Sequence, residues 1–158
     1  MNKQDRDRPA IIAPPPLLMV VCVAAGLIAA HFWPLPMIHD AALARAVLCV
    51  ALIVVAGALI FSGHREMVKN NEHPNPYKPT STIVQNGIYG FTRNPLYISL
   101  LLIVLVVGIG VNDAWLLSSF VALFVLLHFG VVKAEERYLS TKFGSRYDEY
   151  RRSVRRWL

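Results

Sequence analysis

Charge is missing from most of this chain. Only 16% of its 158 residues are Asp, Glu, Lys or Arg. Four stretches, Leu17–Trp33, Ala46–Gly63, Leu96–Val111 and Ala114–Val132, have none across 17, 18, 16 and 19 residues. With 55% hydrophobic residues gathered into such blocks, an ordinary soluble domain is excluded. Cysteine is scarce: Cys22 and Cys49 both sit inside apolar stretches and read as small core residues, not as a disulfide or a metal pair. Zinc spacing is absent, since His64 and His73 with Glu66 and Glu72 match no zinc pattern. Gly108-Ile-Gly110 lacks the third glycine of a nucleotide fingerprint and follows a helical run, so it reads as a packing feature. The net charge of +6 comes without aromatic–basic interleaving, which excludes a nucleic-acid partner.

What is present fits a bilayer. A hydrocarbon core of roughly 30 Å needs about 20 helical residues, with about 17 as the lower end. The four blocks therefore predict four transmembrane helices, at about 17–33, 46–63, 95–111 and 114–132, in a single all-α membrane domain covering 1–158. Lys and Arg alternate with them. Lys3, Arg6 and Arg8 precede the first helix, and Arg65, Lys69, Lys78 and Arg93 lie in the loop 64–94 between the second and third. Eight more fall in the tail 133–158. By the positive-inside rule both termini and these two regions are cytoplasmic, which expects an inner-membrane protein with an uncleaved first helix.

Residues 1–13 read as a mobile polar lead, followed by the stiff Pro14-Pro15-Pro16. His31-Phe-Trp-Pro34 suits the far interface, with Pro36, His39 and Asp40 in a short outer loop. Gly57 reads as a close-packing point and Gly63 as a helix stop. The loop 64–94 is long for a compact domain, and Pro74, Pro76 and Pro79 make it stiff, so it is a candidate binding loop.

That loop ends in Gly87-Ile-Tyr-Gly-Phe-Thr-Arg-Asn-Pro-Leu-Tyr97. Asn94 is a good N-cap type and Pro95 suits the first helical position, so the third helix should start there. Its free N–H groups beside Arg93 make an anion site. At the other end of the fourth helix come Glu135 and Glu136, about 100° apart, with Leu139 and Phe143 continuing their side. Phe143-Gly144 breaks the helix, and Ser145 with Asp148 reads as a capping box for a second one. Tyr147, Tyr150 and Arg151 share a face of that helix, and Val154 and Trp157 extend it, giving a basic amphipathic helix on the membrane surface. His128 reads as a hydrogen-bonded structural histidine. Anion site, carboxylate pair and aromatic walls suit a zwitterionic ligand such as S-adenosylmethionine.

Pro79-Thr-Ser-Thr-Ile-Val-Gln-Asn-Gly-Ile-Tyr89, Arg93-Asn-Pro-Leu-Tyr97, and Glu135-Glu136 with Leu139, Phe143-Gly144, Tyr147 and Tyr150 together resemble the signature of the isoprenylcysteine carboxyl methyltransferase and phospholipid methyltransferase superfamily. The resemblance implies a membrane-embedded methyltransferase using S-adenosylmethionine near the cytoplasmic face, with a lipid-like acceptor entering sideways. It implies cofactor contacts from Gly87, Tyr89, Arg93, Asn94, Pro95, Tyr97, Glu135, Glu136 and Tyr147. Many members carry histidine where this chain has Asn94, which cannot titrate. The acceptor expected is the carboxylate of an isoprenylated cysteine or a similar isoprenoid acid, with Arg93 or Arg151 steering its anionic head. Phospholipid amine methylation, with Glu136 as base, is the alternative. A nicotinamide-dependent lipid or sterol reductase-like protein and a non-enzymatic scaffold follow it. A monomer or dimer is expected.

Overall fold

The computed structural model describes residues 8–37, 41–73 and 78–158. The expectations placed on Lys3, Arg6, His39, Asp40, Pro74 and Pro76 lie outside them. Within the described residues the architecture is all-α. Helices α1 (Pro15–Phe32), α2 (Ala42–Lys69), α3 (Pro95–Val111) and α4 (Ala114–Leu127) form a bundle. A π-helical turn, His128–Val132, carries α4 without interruption into α5 (Lys133–Phe143), and α6 (Ser145–Ser153) follows. Three helical segments, Pro15–Phe32, Ala42–Lys69 and Ala114–Phe143, are long and apolar enough to cross a membrane, and α3 is a shorter apolar helix.

In the bundle α3 packs between α2 and α4, and α1 lies against α4. The main core joins Cys22 of α1, Leu101 and Val104 of α3, and Leu123, Leu127 and Val131 around α4. Outward faces stay apolar: Val20, Leu27, Val47, Val50, Val54, Phe61, Val121 and Val125 are all exposed. Continuous apolar surface of this kind would drive aggregation in water and suits lipid.

Close approach decides the glycine roles, and they differ from the sequence reading. Gly57 meets nothing within 4 Å of a would-be Cβ, so it is not a packing point. The tight crossings are elsewhere. A Cβ on Gly26 would strike Ser119, whose hydroxyl donates to the Cys22 carbonyl at 2.9 Å. A Cβ on Gly108 would lie 3.0 Å from the Leu117 backbone nitrogen, so the packing role expected of Gly108-Ile-Gly110 holds at Gly108, while Gly110 has room, with Cys49 at 3.9 Å. A Cβ on Gly63 would lie 3.0 Å from Leu96. Gly63 therefore does not stop α2 but lets it pass close to the start of α3. α2 runs on to Lys69 and ends at Asn70-Asn71, with Asn71 at φ 56°. At 1.5 Å per residue its 28 residues span about 42 Å, well beyond a hydrocarbon core. The first six residues of the expected loop are thus helix.

At the far end the α3–α4 hairpin forms as expected. Asn112 adopts the left-handed conformation at φ 62°. Buried Asp113 caps α4 through the Trp115 N–H at 2.9 Å and takes the Leu35 N–H at 2.8 Å, tying the stretch just after α1 to the hairpin. The described part of the lead, from residue 8 on, is docked, contrary to its reading as mobile. Ile12 N–H donates to the Gly130 carbonyl at 3.1 Å, and its side chain fills the notch where a Gly130 Cβ would sit.

Candidate functional site

At the end of the bundle that carries α5 and α6, loop residues Glu72 and His73 and others from Thr80 to Asn94, the start of α3 and both C-terminal helices line a cavity of about 160 Å³. A drug-sized ligand needs several hundred Å³, so an occupant of that size has to extend out through the open side.

The loop is set by Glu72. This buried carboxylate accepts from the Ser81 N–H and the Thr82 N–H, each at 2.7 Å, and from the Ser81 hydroxyl. The chain then reaches a 3₁₀ turn, Gly87–Gly90. Gly87, at φ 60°, packs over Glu66 of α2, where a Cβ would come within 2.8 Å. Tyr89 is buried, and its carbonyl accepts from the Tyr150 hydroxyl at 2.7 Å.

α3 begins at Pro95 with Asn94 before it, as the sequence predicts, but the Asn94 side chain does not cap it. Its amide instead donates to the Arg156 carbonyl at 2.8 Å, while its own carbonyl receives the N–H groups of Tyr97 and Ile98. The Arg93 N–H donates to the Arg155 carbonyl at 3.0 Å. The tail is therefore strapped along the motif, with Thr92 and Arg155 forming a parallel bridge. This corrects the reading of the tail's end as an interfacial helix. α6 stops at Ser153, and Trp157 turns inward, donating to His128 Nδ1 at 3.2 Å and packing on Phe124. His128 has the structural partner expected of it.

The two carboxylates part company on α5. Glu135 accepts the Tyr97 hydroxyl at 2.6 Å. Glu136, 8% exposed, is held by two arginines. Arg93 Nη1 lies 2.8 Å from its Oε1, and the Arg156 fork meets both oxygens, at 2.7 and 2.8 Å. A buried carboxylate needs such pairing. The Glu136 hydrogen bond in turn raises the Arg156 pKa above its usual value. Arg93 Nη1 also donates to the Tyr147 hydroxyl at 3.3 Å, yet its buried Nε–H has no acceptor among the described residues. Burial pushes the Tyr89, Tyr147 and Tyr150 phenols up, against Arg93 in the last two, so all three stay neutral donors or acceptors near neutral pH.

Tyr147 and Tyr150 pack on Ile83 with Leu139, Phe143 and Val154, a small second core that seats α6. Gly144 breaks the helix at φ 55°, as expected, but no side-chain capping box forms. Asp148 accepts from Ser140 at 3.4 Å instead.

Of the residues singled out from sequence, Tyr89, Arg93, Asn94, Pro95, Tyr97, Glu135, Glu136 and Tyr147 all line the cavity. Gly87 and Arg151 do not. Gly87 supports the turn from outside, and Arg151 is exposed with Asp148 at 3.4 Å. Sequence reasoning missed Pro9, Met67, Tyr138 and, above all, Arg156. Arg156 is one of eight basic residues in the tail, and nothing in its spacing sets it apart.

A 65-residue protein region from Haemophilus influenzae, described as an uncharacterized protein, is 42% identical over 40% of this chain and the whole of its own length. No solved structure matches the chain. The family model described as phospholipid methyltransferase matches residues 44–146, about two thirds of the sequence and most of the cavity wall. The chain belongs to the phospholipid methyltransferase family, within the integral membrane methyltransferases.

Proposed function

We propose that this methyltransferase takes its methyl group from S-adenosylmethionine and transfers it to a lipid-like acid at the cytoplasmic face, with the carboxylate of an isoprenylated cysteine or a similar isoprenoid acid as acceptor. In this reading α3 also spans the membrane, making four spans, with both termini cytoplasmic. One observation carries the proposal. The cavity just beyond the apolar bundle is lined by Arg93, whose buried Nε–H has no acceptor among the described residues, by the Glu135 carboxylate and by five tyrosines. That donor set fits the cofactor: Arg93 Nε–H for its carboxylate, Glu135 for its hydroxyls or ammonium, and the rings of Tyr89 and Tyr147 as flat walls.

When bound, S-adenosylmethionine supplies an electrophilic methyl group. The protein's part is alignment and exclusion of water. Holding donor and acceptor in line lowers the entropic barrier, and a water-poor site strengthens the attraction between an anionic acceptor and a sulfonium. A carboxylate is already deprotonated and needs no base. That matters because Glu136, the expected base for an amine acceptor, is committed to Arg93 and Arg156. Arg151 stands outside the cavity and can act only on an acceptor head at the surface.

The family match favours a second reading, methylation of a phospholipid amine, in which Glu135 is the remaining carboxylate able to take a proton. Methyl-labelled S-adenosylmethionine incubated with the protein and membrane lipids separates the two. Label in the lipid fraction that mild alkali releases as methanol identifies an ester and supports the acid acceptor. Alkali-stable label identifies the amine. No transfer and no cofactor binding would sink both.

A further inference from the structure

Resting on that reading of the site, we infer that Arg156 is a positioning residue for methyl transfer, acting through Glu136 to hold Arg93 in its ligand-binding pose. It lies outside the family-matched span, which ends at residue 146, and on a segment with no regular secondary structure.

Glu136 is the joint. One of its oxygens receives both Arg156 Nε at 2.7 Å and Arg93 Nη1 at 2.8 Å, and the other receives Arg156 Nη2 at 2.8 Å. The fork contact from Arg156 fixes the carboxylate plane, since two parallel donors leave it no rotation. Arg93, which lines the cavity, is thereby confined to an end-on contact through Nη1, and its buried Nε–H is left without an acceptor among the described residues. Without Arg156, Glu136 would be a buried carboxylate with one partner. The nearest way to satisfy it is for Arg93 to swing its own Nε/Nη edge onto both oxygens. The spare Nε–H that a ligand seated beside Arg93 would take up then disappears.

The backbone keeps Arg156 in place. Its carbonyl accepts from Asn94 Nδ2 at 2.8 Å and from the Thr92 hydroxyl at 3.4 Å, and the next residue, Trp157, is pinned by His128. Asn94 therefore serves the site through the tail. Where a histidine would stand in many relatives, an amide here holds a carbonyl.

The test uses full-length protein in lipid nanodiscs. Binding of S-adenosylmethionine and methyl transfer are measured for wild type, Arg156→Lys, Arg156→Met, Glu136→Gln and Arg156→Met/Glu136→Gln, with exposed Arg152→Met as control. Thermal unfolding confirms that each is folded. Arg156→Lys keeps the charge and loses the fork, so it should fold yet bind about tenfold more weakly, as expected for losing one charge-assisted hydrogen bond. Arg156→Met should lower kcat/KM about 100-fold, the scale of a misplaced group near the chemistry. If Arg156 works through Glu136, the double variant loses no more than the worse single one. A folded Arg156→Lys with wild-type binding and turnover, or additive losses in the double variant, would overturn this inference while leaving the proposed activity intact. Absence of cofactor binding in the unaltered protein would overturn both.

Discussion

The Tyr97 hydroxyl donates to Glu135 across 2.6 Å, joining the first turn of α3 to the start of α5. Both residues line the cavity, so this bond turns one carboxylate oxygen away and leaves the other for a ligand. Tyr97→Phe should keep the fold and weaken S-adenosylmethionine binding by about tenfold, the usual size of a lost hydrogen bond to a charged group. Calorimetry on the nanodisc protein reads it directly. An unchanged Kd would remove Glu135 from the binding set.

How far could this be seen beforehand? The bundle was legible because lipid imposes long uncharged runs, and the start of α3 was legible because Asn94-Pro95 leaves little choice. Eight of the site residues were legible as two short motifs that the fold brings together. What could not be read is where polar side chains find partners across distant segments. Asn94 looks like a cap in sequence, yet the tail carbonyl of Arg156 outcompetes its own helix for the amide. Trp157 looks like an interfacial anchor, yet an indole N–H facing His128 is satisfied inside. Gly63 looks like a stop because sequence does not show that Leu96 crosses there. Each miss is a tertiary contact that overrides a local preference.

The notch at Gly130 gives a stability prediction. Ile12 occupies the space of a Cβ there and donates its N–H to the same residue's carbonyl, three residues after the cavity-lining Pro9. Gly130→Ala should destabilise by no more than about 1 kcal/mol, the low end for overpacking, since the displaced Ile12 side chain is largely exposed. Adding Ile12→Ala should relieve most of that loss. Thermal unfolding of the two variants checks it, and additive losses would show that Ile12 is not the residue displaced.

Tyr150 couples α6 to the 3₁₀ turn by donating to the Tyr89 carbonyl at 2.7 Å. Tyr150→Phe should cost about 1 kcal/mol, leaving that carbonyl without its partner. The pH dependence has a definite sign. Burial raises the Tyr150 pKa above its ordinary value, so the folded state holds the proton more tightly than the unfolded one. The contribution is fully present below the unfolded value of about 10 and is lost as pH rises toward the folded value. Melting temperature should therefore be level from neutral pH to about 9 and fall above about 10, less steeply in Tyr150→Phe. An equally steep fall in both proteins would assign the alkaline limb to other groups, with Tyr89 next to test.

The four-span reading makes the sharpest demand, because α3 is the one bundle helix whose crossing rests on a short apolar run. Its 17 residues cover about 25 Å, less than a full hydrocarbon core. Burial compensates. Ile98, Leu101, Val104 and Gly108 face neighbouring helices, and Asn112 and Asp113 close the far end with satisfied polar groups. A short helix sheathed by longer ones needs only to reach the thinned interface at each end. The hairpin end and α6 should then lie on opposite sides of the membrane. With Cys22 and Cys49 replaced by alanine, a cysteine at exposed Val111 should react with a membrane-impermeant maleimide added to intact cells. A cysteine at exposed Arg152 should react only after the membrane is opened. Labelling of both positions from outside would mean that Ala114–Phe143 does not cross, and the reverse pattern would sink the four-span, termini-inside reading, since an inverted bundle and an α3 that turns back both produce it. The expected pattern places the Glu135, Glu136 and Arg93 cluster on the cytoplasmic side, the face from which a cytosolic methyl donor can reach it.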